Sequence, residues 1–465
     1  MKRIVLNAFH MNCVVHQSPG LWPHPDNQTH RYTDLDAWVH LAKVLERGKF
    51  DALFLADVVG VYDVFSGSRD AAVRSAAQIP VNDPSFLIPV MAHATEHLGF
   101  AFTSSILQEH PWIFAKKLST LDHLSRGRLA WNVVTSYLES TGRNLGLDGL
   151  PQHDERYDMA DEYLEVLYKL LEGSWEDGAV VRDRQTGIYA DPTKVHDIAH
   201  RGRYYRVPGC HLSEPSPQRT PVLYQAGASP RGRQFAAHHA EAVFVLGPRP
   251  AVVGQYVADT RERARRAGRN PEKLLFLAYL KVITGGTEAE AKRKYDEYFE
   301  SVSYDGAMAL LSGWSGIDFS QFEPDQPLEY IETNAVRTLV HGFTSADPSR
   351  RWTLRDLAKY VGIGGAGPVL VGAPEQIADG LQQWIDVGVD GFNLAYAVTP
   401  GTFEDFVDGV VPVLQRRGLT QSDYAPGTLR EKLYGQARLP DDHPGARFRD
   451  LARRAGSIVA AAAQA

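Results

Sequence analysis

The sequence predicts an α/β protein built as a (β/α)8 barrel with long insertions. Three observations lead there. Eight apolar, β-prone runs alternate with longer helical stretches, the pattern of parallel strands covered by helices. At 465 residues the chain is long enough for such a barrel and its insertions. Polar and conformationally special residues collect directly after the runs, where a barrel places its chemistry.

The strands are read, in order, at 3–9, 51–56, 99–106, 128–134, 221–226, 241–246, 273–283 and 391–397. Helices are read at 33–48, 84–97, 111–125, 157–173, 230–240, 250–268, 374–388 and 403–417. Two intervals are too long to be plain connections: 174–220, rich in charge and proline, and 285–372, which mixes helical and Gly-rich text. Both read as insertions into a barrel domain spanning 1–420, the second as a lid over the mouth. Residues 421–465 form a tail that packs as a helical arm or frays.

Composition narrows the function classes. With 44% hydrophobic and 23% charged residues the chain is that of an ordinary globular protein. A formal net charge of -7 offers no general attraction to nucleic acid or anionic lipid. No apolar run reaches the roughly 20 residues of a membrane span. Cys13 and Cys210, far apart and in no CxxC pair, suit a reducing compartment, so a cytoplasmic protein is expected.

Short motifs carry less than they seem to. HATEH, residues 93–97, has the spacing of a zinc-protease helix, but it precedes a strand and lacks a third ligand, so no metal is predicted. The arginines of 261–269 read as a solvated outer helix face. GIGGAGPVLVG, residues 362–372, is a loose dinucleotide fingerprint outside a βαβ context. PVLYQAGASPRG, residues 221–232, is more specific: strand, glycine turn and helix start stand in sequence, and backbone N–H groups there suit a phosphate. Asp57, just past the second strand, is a carboxylate expected at the mouth, and Asn132 ends the fourth strand. Asp154 is read as the N-cap of the helix that carries His153 and Tyr157 near its start.

Taken together, NAFHMNCVVHQSPGLWPHP, RGKFDALFLADVVGVYDV, STLDHLSRGRLAWNVVTS, QHDERYDMADEYLEVLYKL, EPSPQRTPVLYQAGASPRGR and DGFNLAYAVTPGTFEDFVDGVVPVLQRRG resemble the bacterial-luciferase-like flavin monooxygenases. The likeness is to the group acting on nitrilotriacetate and dibenzothiophene sulfone, most of all to its dimethyl sulfide and long-chain alkane members. It implies a two-component enzyme: a separate NADH-dependent flavin reductase supplies reduced FMN, O2 adds to form a C4a-hydroperoxide, and a small organic substrate is oxidised. Dimethyl sulfide, demethylated to methanethiol and formaldehyde, is the first expectation. The alternatives are an alkane, a halogenated aromatic, an N-heterocycle or another organosulfur compound. A non-catalytic flavin-binding protein and a deazaflavin-dependent hydride-transfer enzyme are the readings from other classes. Homodimers or homotetramers are implied.

Carried onto this sequence, the resemblance places the FMN phosphate at Gly227, Ala228 and Ser229, with Ser136 and Tyr157 as hydroxyl donors. It puts Asp57, Thr103, Asn132 and His153 around the flavin ring and ribityl chain. His16 would act on the oxygenated flavin, with Tyr62 and Gln78 shaping the space beside it; Cys13, Phe54, Tyr137, Phe244 and Trp314 would line the substrate pocket. Tyr137 and Trp314 stand where the alkane and sulfone enzymes, respectively, have histidines, which weakens transfer of those two substrates.

Overall fold

A computed structural model of the chain describes residues 3–327 and 352–450. Eight parallel strands form its centre: β1 (Val5–Met11), β2 (Ala52–Ala56), β3 (Gly99–Ser105), β4 (Leu129–Val134), β5 (Val222–Ala226), β6 (Ala242–Val245), β7 (Leu275–Thr284) and β8 (Gly391–Ala395). Each pairs with its sequence neighbour and β8 closes on β1, so the sheet has no free edge within the barrel. All eight fall inside or beside the predicted runs.

The barrel has two apolar layers because strand side chains alternate with period two. Leu275, Leu277 and Tyr279 of β7 point inward, whereas Phe276, Ala278, Leu280 and Val282 meet the helices. Inside, Phe9, Phe54, Tyr224, Phe244 and Tyr279 stack edge-on or tilted, with Phe9 and Phe54 centroids 5.2 Å apart. Asn7 adds a polar rung, donating to Asn393 Oδ1 at 3.0 Å.

The helices follow the predictions with physical adjustments. The one expected at 84–97 is a turn of 3-10 helix and then Ile88–Ala94. The one expected at 157–173 begins earlier, at His153, and passes at Lys169 into a π turn. Asp154 is not its N-cap: Gln152 holds that position, and Asp154 sits in the first turn, its carboxylate 2.6 Å from His153 Nδ1.

Residues 174–220 form two short antiparallel hairpins, Val180–Asp183 with Ile188–Ala190 and His200–Arg201 with Arg206–Val207. In 285–372 the described residues make helices Glu288–Glu300, Tyr304–Ser315 and Leu354–Gly364 and a strand, Val369–Gly372, beside β7. Gly306 and Gly313, two helical turns apart on one face, let Tyr304–Ser315 lie against Pro19 and the Tyr62 ring. After 420 the chain crosses the amino end of the barrel, where Arg430 is fully buried against Glu241. The arginine run is less solvated than predicted: Arg261 pairs with Asp390 at 3.0 Å and Arg269 is buried on helix carbonyls. No helix among the described residues is long and apolar enough to cross a membrane.

Candidate active site at the barrel mouth

The carboxyl ends of the strands gather most of the expected residues. A cavity of about 70 Å³ lies above β2–β4, lined among others by Asp57, Thr103, Ser105, Gln108, Ser136 and Tyr137. Ser136 adopts φ +64°, a left-handed conformation uncommon for a non-glycine residue. Its hydroxyl meets Ser105 Oγ at 2.8 Å. Asn132 donates to Thr103 Oγ1 at 3.0 Å, while its Oδ1 is buried without a partner. Asp57 accepts from the Val58 amide, and burial, aided by Asp83, pushes its carboxyl up to about 7.

The glycine turn lies on the same rim. Ser229 caps the helix Pro230–His239 by accepting from the Gly232 amide at 3.0 Å. Tyr157 is buried with its hydroxyl against Gly227 and Gly232; a Cβ at Gly227 would lie 2.6 Å from that oxygen, and one at Gly232 2.7 Å. Only glycine permits this closeness. Burial raises the Tyr157 phenol, and Arg156 and Arg231 pull it back. His153 is less integrated: its ring is half-exposed, 5.2 Å from Tyr157.

A second cluster surrounds His16, in the loop after β1. Its ring is 2% exposed, packs edge-on against Phe9 at 4.5 Å, and leaves Nδ1 without a partner. Burial, with His10 and Lys281 nearby, holds its pKa well below the usual histidine value, so the ring is neutral near pH 7. Gln78, at φ +54°, donates to the His16 carbonyl at 2.8 Å and accepts from Tyr62 OH at 3.0 Å. The Tyr62 oxygen accepts from Trp314 Nε1 at 3.0 Å and is hydrogen-bonded to Tyr137 OH. Since the Tyr62 proton points at Gln78, Tyr137 must donate in that pair.

Cys13 is fully buried beside this cluster, its thiol pushed up by burial and by Asp57. Phe54 and Phe244 belong to the aromatic layer inside the barrel, 5.8 Å apart. His93 and His97 lie on the far side, before β3, where His97 stacks on Tyr424.

Several residues of this mouth are not among those predicted. Gln225, next to last in β5, has Oε1 buried and unpartnered beside the glycine turn. Tyr256 donates to the Gly227 carbonyl at 2.7 Å, and Gln108 approaches Asp57 at 3.4 Å. Lys281 is wholly buried on β7. It alone had a sequence signal, a single charge in the otherwise apolar LLFLAYLKVIT.

The fit to a flavin mononucleotide can be judged on these features. The turn is a cradle that side chains would fill, set at a helix N-terminus with hydroxyls around it. The orphaned polar atoms Asn132 Oδ1, Gln225 Oε1 and His16 Nδ1 await partners. The residues fit such a cofactor.

Barrel and mouth thus define an enzyme of the (β/α)8 class whose chemistry sits at the carboxyl ends of its strands. A family model described as luciferase-like monooxygenase matches residues 11–391, and the chain belongs to that family. It is 53% identical to dimethyl-sulfide monooxygenase of Hyphomicrobium sulfonivorans over 97% of this chain and 94% of the relative. It is 52% identical to long-chain alkane monooxygenase of Geobacillus thermodenitrificans, over 97% and 99% of the two chains. The crystal structure of DmoA from Hyphomicrobium sulfonivorans superposes with a TM-score of 0.93, at 53% identity over 97% and 96% of the chains. Nitrilotriacetate monooxygenase component A of Aminobacter aminovorans is 35% identical over 90% of this chain and 94% of its own.

The protein is therefore a flavin-dependent monooxygenase, and the non-catalytic and hydride-transfer readings fall away. Luciferase-like monooxygenases use reduced flavin and O2.

Proposed function

We propose that this chain is the oxygenase component of a two-component system, that it takes reduced FMN from a separate NADH-dependent flavin reductase, and that its substrate is a small organosulfur compound, dimethyl sulfide first. The description of one relative as a component A supports the reductase. Relatives at 53% and 52% identity do not choose between sulfide and alkane. The observation that supports the small substrate is the aromatic cluster beside the His16 loop: buried Tyr62 is joined through its hydroxyl to Trp314 and to half-exposed Tyr137, which sets three bulky rings at the mouth.

When bound, the reduced flavin supplies the electrons that activate O2. The chain's own residues would seat the phosphate on the amides of Gly227–Ser229 with the hydroxyls of Tyr157 and Ser136. Thr103, Asn132 and His153 would orient the rest of the cofactor. Asp57 can hold or release a proton near neutrality, and neutral His16 can accept or donate one hydrogen bond at Nδ1. Tyr62 and Gln78 fix the backbone of His16, buried Cys13, Phe54 and Phe244 keep the surroundings apolar, and half-exposed Tyr137 and partly buried Trp314 stand at their edge. One oxygen atom enters a methyl C–H bond and the other leaves as water; the hemithioacetal then splits into methanethiol and formaldehyde. Dimeric or tetrameric assembly and a cytoplasmic setting belong to the same proposal.

Headspace chromatography of a sealed, aerated reaction with FMN, NADH, a flavin reductase and dimethyl sulfide tests it. Sulfide loss matched by methanethiol, and absent without FMN or protein, is the expected result. Oxidation of hexadecane under the same conditions with dimethyl sulfide untouched would replace the sulfide by the alkane.

A further inference from the structure

Lys281 lies on the inward stripe of β7, after Leu275, Leu277 and Tyr279, at the end facing the mouth. It is fully buried, and no carboxylate among the described residues pairs with it. Its ammonium instead donates to Ser18 Oγ and to the Ile363 carbonyl, the latter at 2.6 Å. A buried cation held only by neutral acceptors is costly, and burial pulls its pKa from 10.5 down to about 7. Such a residue calls for a compensating role.

Its two acceptors come from different parts of the chain. Ser18 follows His16 in the loop after β1, whereas Ile363 exposes a carbonyl at the carboxyl end of helix Leu354–Gly364, where a positive charge is favourable. Further bonds tie the same three elements. Tyr279 OH donates to the Gly364 carbonyl at 2.7 Å, and the Ala366 amide donates to Gln17 Oε1 at 3.1 Å. Gly365 turns there at φ +66°, and a Cβ on it would run into Gln17 and reach 2.9 Å from the Tyr279 oxygen. On its other side the His16 loop is pinned by Gln78, through the Val15 and His16 carbonyls. His16 thus stands between two clamps.

We propose that Lys281 is a positioning residue whose ammonium clasps the Gln17–Pro19 loop and the Ile363–Ala366 turn of the helical insertion to β7, fixing the His16 ring at the mouth beneath that insertion. The clasp stands independently of the flavin reading; its consequence for turnover rests on it.

Hydrogen–deuterium exchange of the full chain, with thermal melting alongside, tests the clasp in Lys281→Met, Ser18→Ala and the double variant. Replacing a buried charge by an apolar side chain is often neutral or stabilising. Lys281→Met should therefore melt within a few degrees of the parent or above it. Peptides covering 14–20 and 360–368 should nevertheless both exchange about tenfold faster, and those covering 218–225 should not change. Ser18→Ala should loosen 14–20 about threefold and add nothing to Lys281→Met. Unchanged exchange in either segment of Lys281→Met would overturn the clasp. If that variant does not fold, Ser18→Ala decides alone, and unaltered exchange at 14–20 overturns it. Turnover separates the two readings: kcat about tenfold lower with FMN affinity retained supports the positioning of His16. Loosened exchange with unaltered kcat keeps the clasp but overturns its role in positioning His16 for turnover.

Discussion

The buried carboxylates at the amino end of the barrel and the buried amides and imidazole at its mouth are partnered differently. At the amino end, carboxylates that directly precede strands are saturated. Asp51, Glu241 and Asp390 each accept the amide of a residue in the preceding strand, Leu6, Leu223 and Phe276, at 2.9, 3.0 and 2.9 Å. Each also holds an arginine: Arg3, Arg430 and Arg261. At the carboxyl end, Asn132 Oδ1, His16 Nδ1 and Gln225 Oε1 are buried with nothing to bond, and Ser136 and Gln78 sit at positive φ. Orphaned polar atoms and strained backbone are tolerated where a ligand repays them. The amino end is not free of such features, since Arg261 Nε, Arg269 Nε and Tyr434 OH are also buried without a partner and Lys49, Arg126 and Arg219 also take positive φ; what differs is that its strand-start carboxylates are paired while the mouth's Asn132, Gln225 and His16 keep open acceptors or donors.

The sharpest way to test this contrast is at the amino end. Arg430 is 0% exposed and grips both Glu241 oxygens at 2.8 Å, so Arg430→Met leaves a buried carboxylate without its counter-charge. A loss of about 3–5 kcal/mol in unfolding free energy is expected, measured by urea titration. FMN affinity of the remaining folded protein should be unaltered. Loss of FMN binding at native stability would show that the two ends are not separable.

At the other end, Gly227→Ala drives a methyl group toward Tyr157 OH and the Gln225 amide. FMN affinity, read by flavin fluorescence quenching, should weaken by ten- to a hundredfold, about 1.4–2.8 kcal/mol, with little change in the melt. A Gly227→Ala protein that binds FMN within twofold of the parent would move the phosphate seat elsewhere.

The sequence made the barrel legible because strand period and helix period are local signals, and RIVLNAF, FDALFLA, GFAFTSS and the rest each carry one. The glycine turn was legible for the same reason: strand, turn and helix start lie within a dozen residues. What stayed hidden depends on distant partners. Nothing in SGWSG says that Trp314 will donate to Tyr62, 252 residues earlier, or that Gln17 will accept from Ala366. The carboxylates at the strand starts did leave a mark, an acid directly before the apolar run in FDALF, AEAVF and VDGFN, which is readable once the register is known. The Arg269 side chain misled because helix periodicity does not show which neighbour lies beneath the last turn.

The smallest expected effect concerns Asp57, whose shift is opposite in sign to that of Glu172. Burial raises its carboxyl from 3.8 to about 7, so the folded protein keeps a proton that the unfolded chain releases from about pH 4 upward. Its contribution to stability is full below pH 4 and is lost as the pH climbs through 7. The opposite holds for Glu172, buried at the amino end and held below the usual carboxylate range because Arg438 and Arg449 outweigh its burial. Its contribution is present near neutrality and lost as the medium acidifies. Asp57→Asn should therefore remove a decline of about 1–2 kcal/mol between pH 4 and 7, allowing for solvent in the cavity around it. Unfolding titrations at pH 5 and pH 7.5 check this: the parent should lose stability relative to Asp57→Asn at the higher pH. A parallel pair of curves would mean that Asp57 is ionised throughout and cannot hold a proton at the mouth.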